Sequence, residues 1–312
     1  MAAGVKVAHN SPMPPTPPDA RAFEAERAHL TAVAYRMLGS HAEAEDAVQE
    51  AWLRYAGTDT RDDIRDLRGW LTTTVGRICL DVLRSARVRR EAYPGPWLPE
   101  PVVTAADGPE GVAARRDEVA LALLVVLDRL TPEQRVAFVL HDVFAVPFDD
   151  IAASLGTTPA AARQLASRAR RAVGEEGHKH TADLAEQRRV LDAFVRAAGT
   201  GDLDGLLAVL APDVVFIGDG GGFAPAARKP VAGAVQVARF AAGLFRRAER
   251  DQAGLRVEPV LVNGGAGLLT EARYPDGTVL RMVLGVAVAD GRITAVYNQL
   301  NPHKVGRALD DR

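Results

Sequence analysis

LTPEQRVAFVLHDVFAVPFDDIAASLGTTPAAARQLASRARRAV, residues 130–173, carries the most specific local pattern in the chain. Thr131 stands as an N-cap hydroxyl before Pro132, whose fixed φ suits the first helical position. Residues 148–155 predict a short helix. Gly156 ends it, Thr157 and Thr158 supply capping hydroxyls, and Pro159 opens the next helix. A glycine turn between two short helices is the helix-turn-helix pattern. On the second helix Ala162, Leu165, Ala169 and Val173 fall on one face, and Arg163, Gln164, Ser167, Arg168 and Arg171 on the other. Arg and Gln can pair bidentately with guanine and adenine edges, and Ser and Arg can hold phosphates. A helical hairpin with a basic, solvated surface is the plainer alternative.

Charge extends the argument outward. The 312-residue chain has a net charge of only −2, yet the charge is unevenly placed. Residues 77–90 hold Arg77, Arg84, Arg87, Arg89 and Arg90 against one acid, Asp81, and residues 158–173 hold four arginines and no acid. Local basic stripes, not the total, are the electrostatic footprint of a nucleic-acid surface. In residues 77–90 the arginines also complement a helix dipole, so phosphate contact and helix capping both account for them. Apolar residues make up 47% and charged residues 25%, as in an ordinary globular protein. The longest apolar run, residues 119–127, is far short of the roughly 20 residues a membrane helix needs. The start of the chain lacks a secretion pattern, and the lone Cys79 excludes an internal disulfide or a cysteine-based zinc cluster. A cytoplasmic protein is expected, with no metal, no cofactor and no membrane partner.

The chain divides by texture. Residues 1–20 hold five prolines and predict a disordered tail, residues 21–90 a helical block, and the proline-rich residues 91–117 a linker. Residues 118–175 are helical again. From residue 183 a helix over 184–198 precedes β-branched, glycine-punctuated runs at 213–217, 255–262, 278–289 and 292–297, which predict an α+β domain with an antiparallel sheet over 183–307. In the first block Ala44, Ala47, Val48, Ala51, Trp52 and Tyr55 form an apolar stripe, leaving Asp46, Gln49 and Glu50 on the polar side. Trp70 reads equally as core or as a residue that holds an unstacked base.

These blocks, in this order, resemble the extracytoplasmic-function class of bacterial sigma factors. AEDAVQEAWLRY (44–55) resembles the region 2.2 helix, GWLTTTVGRICLDVLR (69–84) regions 2.3 and 2.4, and residues 130–173 region 4. Three further motifs resemble the sigma-J-like subgroup, whose members carry a SnoaL-like (NTF2-like) domain after region 4. They are Pro96-Trp97-Leu98-Pro99-Glu100-Pro101, Asp219-Gly220-Gly221-Gly222 and Asn301-Pro302-His303-Lys304. The resemblance implies two all-α sigma domains followed by an α+β cone. It implies Asp46, Gln49 and Glu50 on the β′ clamp helices of core RNA polymerase, and a region 4 contact with the β flap. It also implies −10 opening by Trp70, Arg77, Arg84 and Arg87, and −35 reading by Arg163, Gln164, Ser167, Arg168 and Arg171. Trp97, Leu98, Asp219, Gly220, Gly221, Gly222, Asn301, Pro302 and Lys304 are expected to form a regulatory contact between domains. The chain departs from the pattern at Phe223, where the subgroup has Lys, at His303, where it has Asp, and at Arg77, where many members of the class have Asn.

The cone allows a second reading. Related domains include enzymes that abstract a proton next to a carbonyl, which needs a tuned general base. Residues 183–300 contain no His or Cys, which leaves Asp213, Asp219 and Tyr297 as candidates. A concave domain of this type is also suited to holding a small molecule.

Overall fold

The computed structural model describes residues 18–59, 63–106, 120–177 and 182–310. The expected tail lies outside the described residues except for its last three positions, as do residues 107–117 of the linker and the side chains of Arg87, Arg89 and Arg90. Helices α1 (Pro18–Leu38), α2 (His41–Ala56) and α3 (Leu67–Glu91) form the first block. Ser40 caps α2 by accepting from the Glu43 amide, and of the predicted stripe Ala44, Ala47, Val48, Ala51 and Tyr55 are buried and Trp52 is half-buried. Helix α4 (Leu121–Leu127) leads into α5 (Pro132–Phe138), which continues through a π turn, Val139–Val143. A reciprocal capping box between Thr131 and Gln134 starts α5. Helices α6 (Phe148–Leu155) and α7 (Pro159–Gly177) flank Gly156, whose φ of 64° is the left-handed C-cap conformation that glycine adopts without strain.

One apolar cluster runs from α1–α3 into α5–α7, so the two helical blocks share a core. Leu140 seats on Gly76 of α3, where a β-carbon would lie 2.9 Å from Leu140 Cδ1. Helix α4 serves both halves of the molecule. Leu124 and Leu127 enter this helical core, while Leu121, Ala122 and Val125 pack on the sheet of the C-terminal domain.

The C-terminal domain begins with α8 (Leu184–Thr200) and α9 (Leu203–Val209) and continues through β2 (Leu210–Asp219), β3 (Val231–Ala232) and α10 (Ala234–Arg250). It then runs through β4 (Gly254–Val262), β5 (Gly265–Arg273), β6 (Val279–Ala289), β7 (Arg292–Gln299) and α11 (Pro302–Asp310). The linker supplies β1 (Val103–Ala105), which pairs antiparallel with the edge of β4. The sheet order is β1-β4-β5-β6-β7-β2-β3. The expectation of an antiparallel sheet needs one correction: β2 and β7 pair in parallel. The chain leaves β2 for a helix and four strands, β3 to β6, before β7 returns beside it, the long crossover that a parallel pair requires. The inner sheet face packs on α8 and α10, and the outer face is covered by Leu98, α4 and α11.

Candidate nucleic-acid interface and linker clamp

On α2 the side chains of Asp46 and Gln49 are exposed, and half-buried Glu50 pairs with Arg54 at 3.0 Å. At the border of this face Glu45 meets Arg307 of α11 at 2.8 Å, so the last helix of the chain reaches its edge.

Helix α3 is occupied. Trp70 is half-buried, with its ring 6.0 Å from Tyr55. The Arg77 guanidinium donates to the Ala153 carbonyl of α6 at 2.9 Å, Ser154 Oγ donates to the Thr73 carbonyl, and Arg84 pairs with Glu133 of α5 at 2.9 Å. Two of the side chains expected on −10 DNA, Arg77 and Arg84, are therefore bonded to the region-4 block, and the Arg87 side chain lies outside the described residues.

Helix α7 is different. Ala162, Ala166 and Ala169 bury its inner face, while Arg163, Gln164, Ser167, Arg168 and Arg171 all stand exposed along the other. The Thr158 hydroxyl caps the helix by accepting from the Ala161 amide at 3.2 Å. Arg163 lies 5.4 Å above the Phe148 ring, and Arg170 is tied to Asp142. The exposed row spans more than two turns, as a reading helix in a major groove requires.

The third group converges on Asp219, at the C-terminal end of β2 and completely buried. Its Oδ2 meets Lys304 Nζ at 2.8 Å and accepts from the Leu98 amide at 2.9 Å; its Oδ1 accepts from Tyr93 Oη at 2.7 Å and from the Gly221 amide at 3.0 Å. Lys304 also donates to the Leu98 carbonyl at 2.6 Å and sits 4.3 Å from the Trp97 ring centroid and 5.2 Å from that of Tyr93. A buried carboxylate is tolerable because a cation and four other donors, Gln299 Nε2 at 3.4 Å among them, satisfy it. The glycines let the backbone come this close. At Gly221, φ +60°, a β-carbon would lie 2.3 Å from Asn301 Nδ2 and 3.0 Å from Tyr93 Oη; at Gly222 one would meet Pro94 at 2.9 Å. Pro302 opens α11, and Lys304 lies in its first turn. Burial, and next the hydrogen bond to Asp219, push the Tyr93 hydroxyl well above the ordinary phenol range.

Leu98 is 1% exposed among the outer-face side chains, worth about 1.5–3 kcal/mol of apolar burial. Trp97, half-buried, divides its contacts between Lys304 and the first helical block, where its ring edge approaches Gly39. Glu100, not singled out from sequence, completes the join. Its carboxylate accepts from Ser40 Oγ at 2.8 Å and from the His41 amide at 2.7 Å, an anion at the N-terminus of α2. Tyr35, Tyr93, Asn263 and Gln299 were also missed. Tyr35 donates to the Glu100 carbonyl and receives Asn263 Nδ2, while Gln299 Nε2 donates to the Pro99 carbonyl. Only Gln299, next to the Asn301 motif, had a sequence signal. Phe223 and His303, the two departures within the subgroup's motifs, touch edge to face at 4.7 Å. An aromatic pair thus stands where the subgroup pattern places Lys and Asp.

Of the alternative catalytic candidates, Asp213 is exposed, and Asp219 and Tyr297 belong to the outer sheet face, away from the cavity inside the cone. Among the described residues, no helix is long and apolar enough to cross a membrane.

Comparison with known proteins agrees with this layout. The chain matches the sigma-70 region 2 family over residues 22–89, the sigma-70 region 4 family over 120–173 and the SnoaL-like domain family over 191–296. It is 47% identical over 298 residues to the ECF RNA polymerase sigma factor SigJ of Mycobacterium tuberculosis, covering 93% of this chain and 94% of that protein. It is 42% identical over 205 residues to the probable ECF sigma factor SigI of the same species, covering 63% of this chain and 68% of that one. The crystal structure of M. tuberculosis SigJ superposes with a TM-score of 0.72 at 43% identity, covering 92% of this chain and 98% of the other. The chain therefore belongs to the extracytoplasmic-function RNA polymerase sigma factors, in the form that carries a SnoaL-like domain behind regions 2 and 4.

Proposed function

We propose that this factor directs promoter-specific initiation by core RNA polymerase and alternates between the closed arrangement described above and an open one. In the open form Asp46, Gln49 and Glu50 face the β′ clamp helices, and region 4 touches the β flap. Trp70, Arg77, Arg84 and Arg87 hold the −10 element, and Arg163, Gln164, Ser167, Arg168 and Arg171 read the −35 element. The observation that carries this reading is that Arg77 and Arg84 are bonded to region 4 while the basic row of α7 is bare. The centres of the two promoter elements lie about 25 base pairs apart, roughly 85 Å along B-DNA at about 3.4 Å per base pair. Domains that share a core cannot span that distance, so engagement of both elements requires α3 and α6 to part.

The C-terminal domain acts in cis. It holds residues 93–106, the segment that sets how far regions 2 and 4 can separate, and α11 borders the α2 face offered to polymerase. The domain is read as a regulator and not as an enzyme, because Asp213, Asp219 and Tyr297 lie away from its cavity. The place of action is the cytoplasm, with the polymerase. Run-off transcription by core polymerase tests the scheme. Trp97→Ala in the full chain is expected to change output severalfold at unchanged core affinity, whereas charge reversal at Asp46 and Glu50 lowers core affinity. Unchanged output from Trp97→Ala refutes control through the linker.

A further inference from the structure

The π turn of region 4, Val139–Val143, closes where the Phe144 amide donates to the Val139 carbonyl at 3.3 Å. Such a turn holds one residue more than regular helix and so changes which side chains face which neighbour. Val139 and Leu140 are buried in the helical core. The next two residues, His141 and Asp142, both reach the helix-turn-helix, at different points.

His141 is held in place first. Its Nδ1 lies 3.1 Å from the Val146 carbonyl, an oxygen that can only accept, so Nδ1–H donates. The imidazole then stacks on Phe148, the first residue of α6, with centroids 3.9 Å apart and planes 30° from parallel. Phe148 in turn carries Arg163, whose Cζ is 5.4 Å from the ring centroid, within cation–π range. Among the described residues, Arg168 and Arg171 of the same exposed row have no ring beneath them. Asp142 grips α7 farther along, through Arg170, seven residues or roughly 10 Å of helix beyond Arg163. Two grips from one turn fix both the tilt and the roll of α7 against α5.

Holding a phosphate and reading a base make different demands. A phosphate accepts a cation from many directions, whereas a guanine edge takes the guanidinium fork at O6 and N7 in one plane. A solvated arginine must give up rotamer freedom to meet that plane, and an aromatic support removes part of this loss before the DNA arrives. The N-terminal part of a reading helix faces the base edges, and Arg163 lies in the opening turns of α7.

We propose that His141 and Phe148 are positioning residues that aim Arg163 at a guanine of the −35 element, while Asp142 and Arg170 fix the helix that carries it. This assignment rests on α7 being the −35 reader, as proposed above.

The test uses the full chain with core polymerase and duplexes randomised over the −35 element, sequenced before and after selection by each holoenzyme. The parent is expected to prefer G·C at one position that Arg163→Ala makes indifferent, a loss of about fivefold or more there alone. Phe148→Leu keeps apolar bulk but removes the ring face. It lowers the same preference about twofold to fivefold and leaves the salt dependence of binding unchanged, because no phosphate contact is lost. Phe148→Tyr restores the preference. His141→Ala gives the same local loss with Phe148 in place, and carries the test if Phe148→Leu fails to fold. In the Arg163→Ala background neither substitution changes the profile further, whereas a general loosening of region 4 would add its own loss. A parent-like profile from Phe148→Leu, or a loss spread over every position, overturns the platform, and a parent-like profile from His141→Ala removes His141 from it. Asp142→Asn, which releases the second grip, blunts the preference at more than one position, and a parent-like profile removes that grip. If Arg163→Ala changes no position while Gln164→Ala or Arg168→Ala does, this assignment falls and α7 remains the reader. If no variant of the exposed row changes the profile, the −35 reading itself falls.

Discussion

The molecule has two internal joints, and they are built from opposite materials. Between α3 and region 4 the join is an apolar core with a partly exposed polar margin. Leu140 sits on Gly76, and the Arg84–Glu133 pair at the rim is half in solvent. Between the linker and the C-terminal domain the join is polar and dry, a completely buried carboxylate met by Lys304, Tyr93 and the Leu98 amide. Apolar contact is non-directional and can slide or part, whereas a buried ion pair tolerates one geometry and punishes all others. The first joint therefore suits a surface that must open, and the second suits one that must keep its register while the first opens.

The largest effect is expected where the buried pair is broken. Lys304→Met leaves Asp219 charged without its cation and should destabilise the clamp by about 3–5 kcal/mol, seen in urea unfolding followed by tryptophan fluorescence. The double variant Asp219→Asn/Lys304→Met should recover part of that loss, since no lone charge remains. A single variant as stable as the parent contradicts the contrast between the joints.

Gly221→Ala attacks the same clamp through the backbone. The position has φ +60°, and the new β-carbon would overlap Asn301 Nδ2. The expected loss is about 1–3 kcal/mol by the same unfolding measurement.

The two halves of the molecule were not equally legible. Around residues 130–173 local rules sufficed, because caps, the turn glycine and the 3.6-residue stripe each act over a few residues; Thr131, Gly156 and the exposed row on α7 stand as read. In the cone they did not suffice. β5, GAGLLTEAR, has no β-branched run to mark it, and α10 buries mainly Val237 and alanines, a faint stripe. The parallel β2–β7 pair is a matter of long-range topology, which no window of sequence contains. The clamp was half visible. Its glycines, Asp219 and Lys304 lie in recognisable motifs, but Tyr93 and Asn263 lie far along the chain from the residues they meet, and the ion pair itself forms only when Lys304 reaches Asp219 from 85 residues away. The closed contact of α3 with α6 was invisible for the same reason: arginines that suit phosphate suit a carbonyl equally well.

The opening joint should respond gently. Glu133→Gln keeps the capping box at Thr131 and Gln134 but removes the ion pair with Arg84. A half-exposed pair of this kind is worth about 0.2–1 kcal/mol, so the closed form should weaken by no more than that. Promoter binding by the full chain should rise by at most about fivefold, measured by fluorescence anisotropy. A fall in affinity instead would argue that Glu133 supports the reading geometry of region 4.

The smallest expected effect is on pH dependence, and it runs through His29 of α1. Its Nε2 lies 3.0 Å from Thr72 Oγ1, and that hydroxyl already donates to the Arg68 carbonyl, so Nε2–H is the donor of this pair. The ring stands edge-on to Phe144 of region 4 at 5.3 Å. Burial, then the charges of Arg68 and Arg36, lower its pKa below the ordinary 6.5, with Glu26 opposing. With the folded value depressed, an opened or unfolded chain binds the proton more readily than the closed one. The contribution of His29 is thus complete above pH 6.5, diminishes as pH falls below it, and levels off beneath the folded value. Urea midpoints at pH 7.5 and 5.5 should fall further for the parent than for His29→Gln, which cannot take up the proton. Equal falls in the two proteins would assign the acid sensitivity of this joint to its carboxylates, Glu133 foremost.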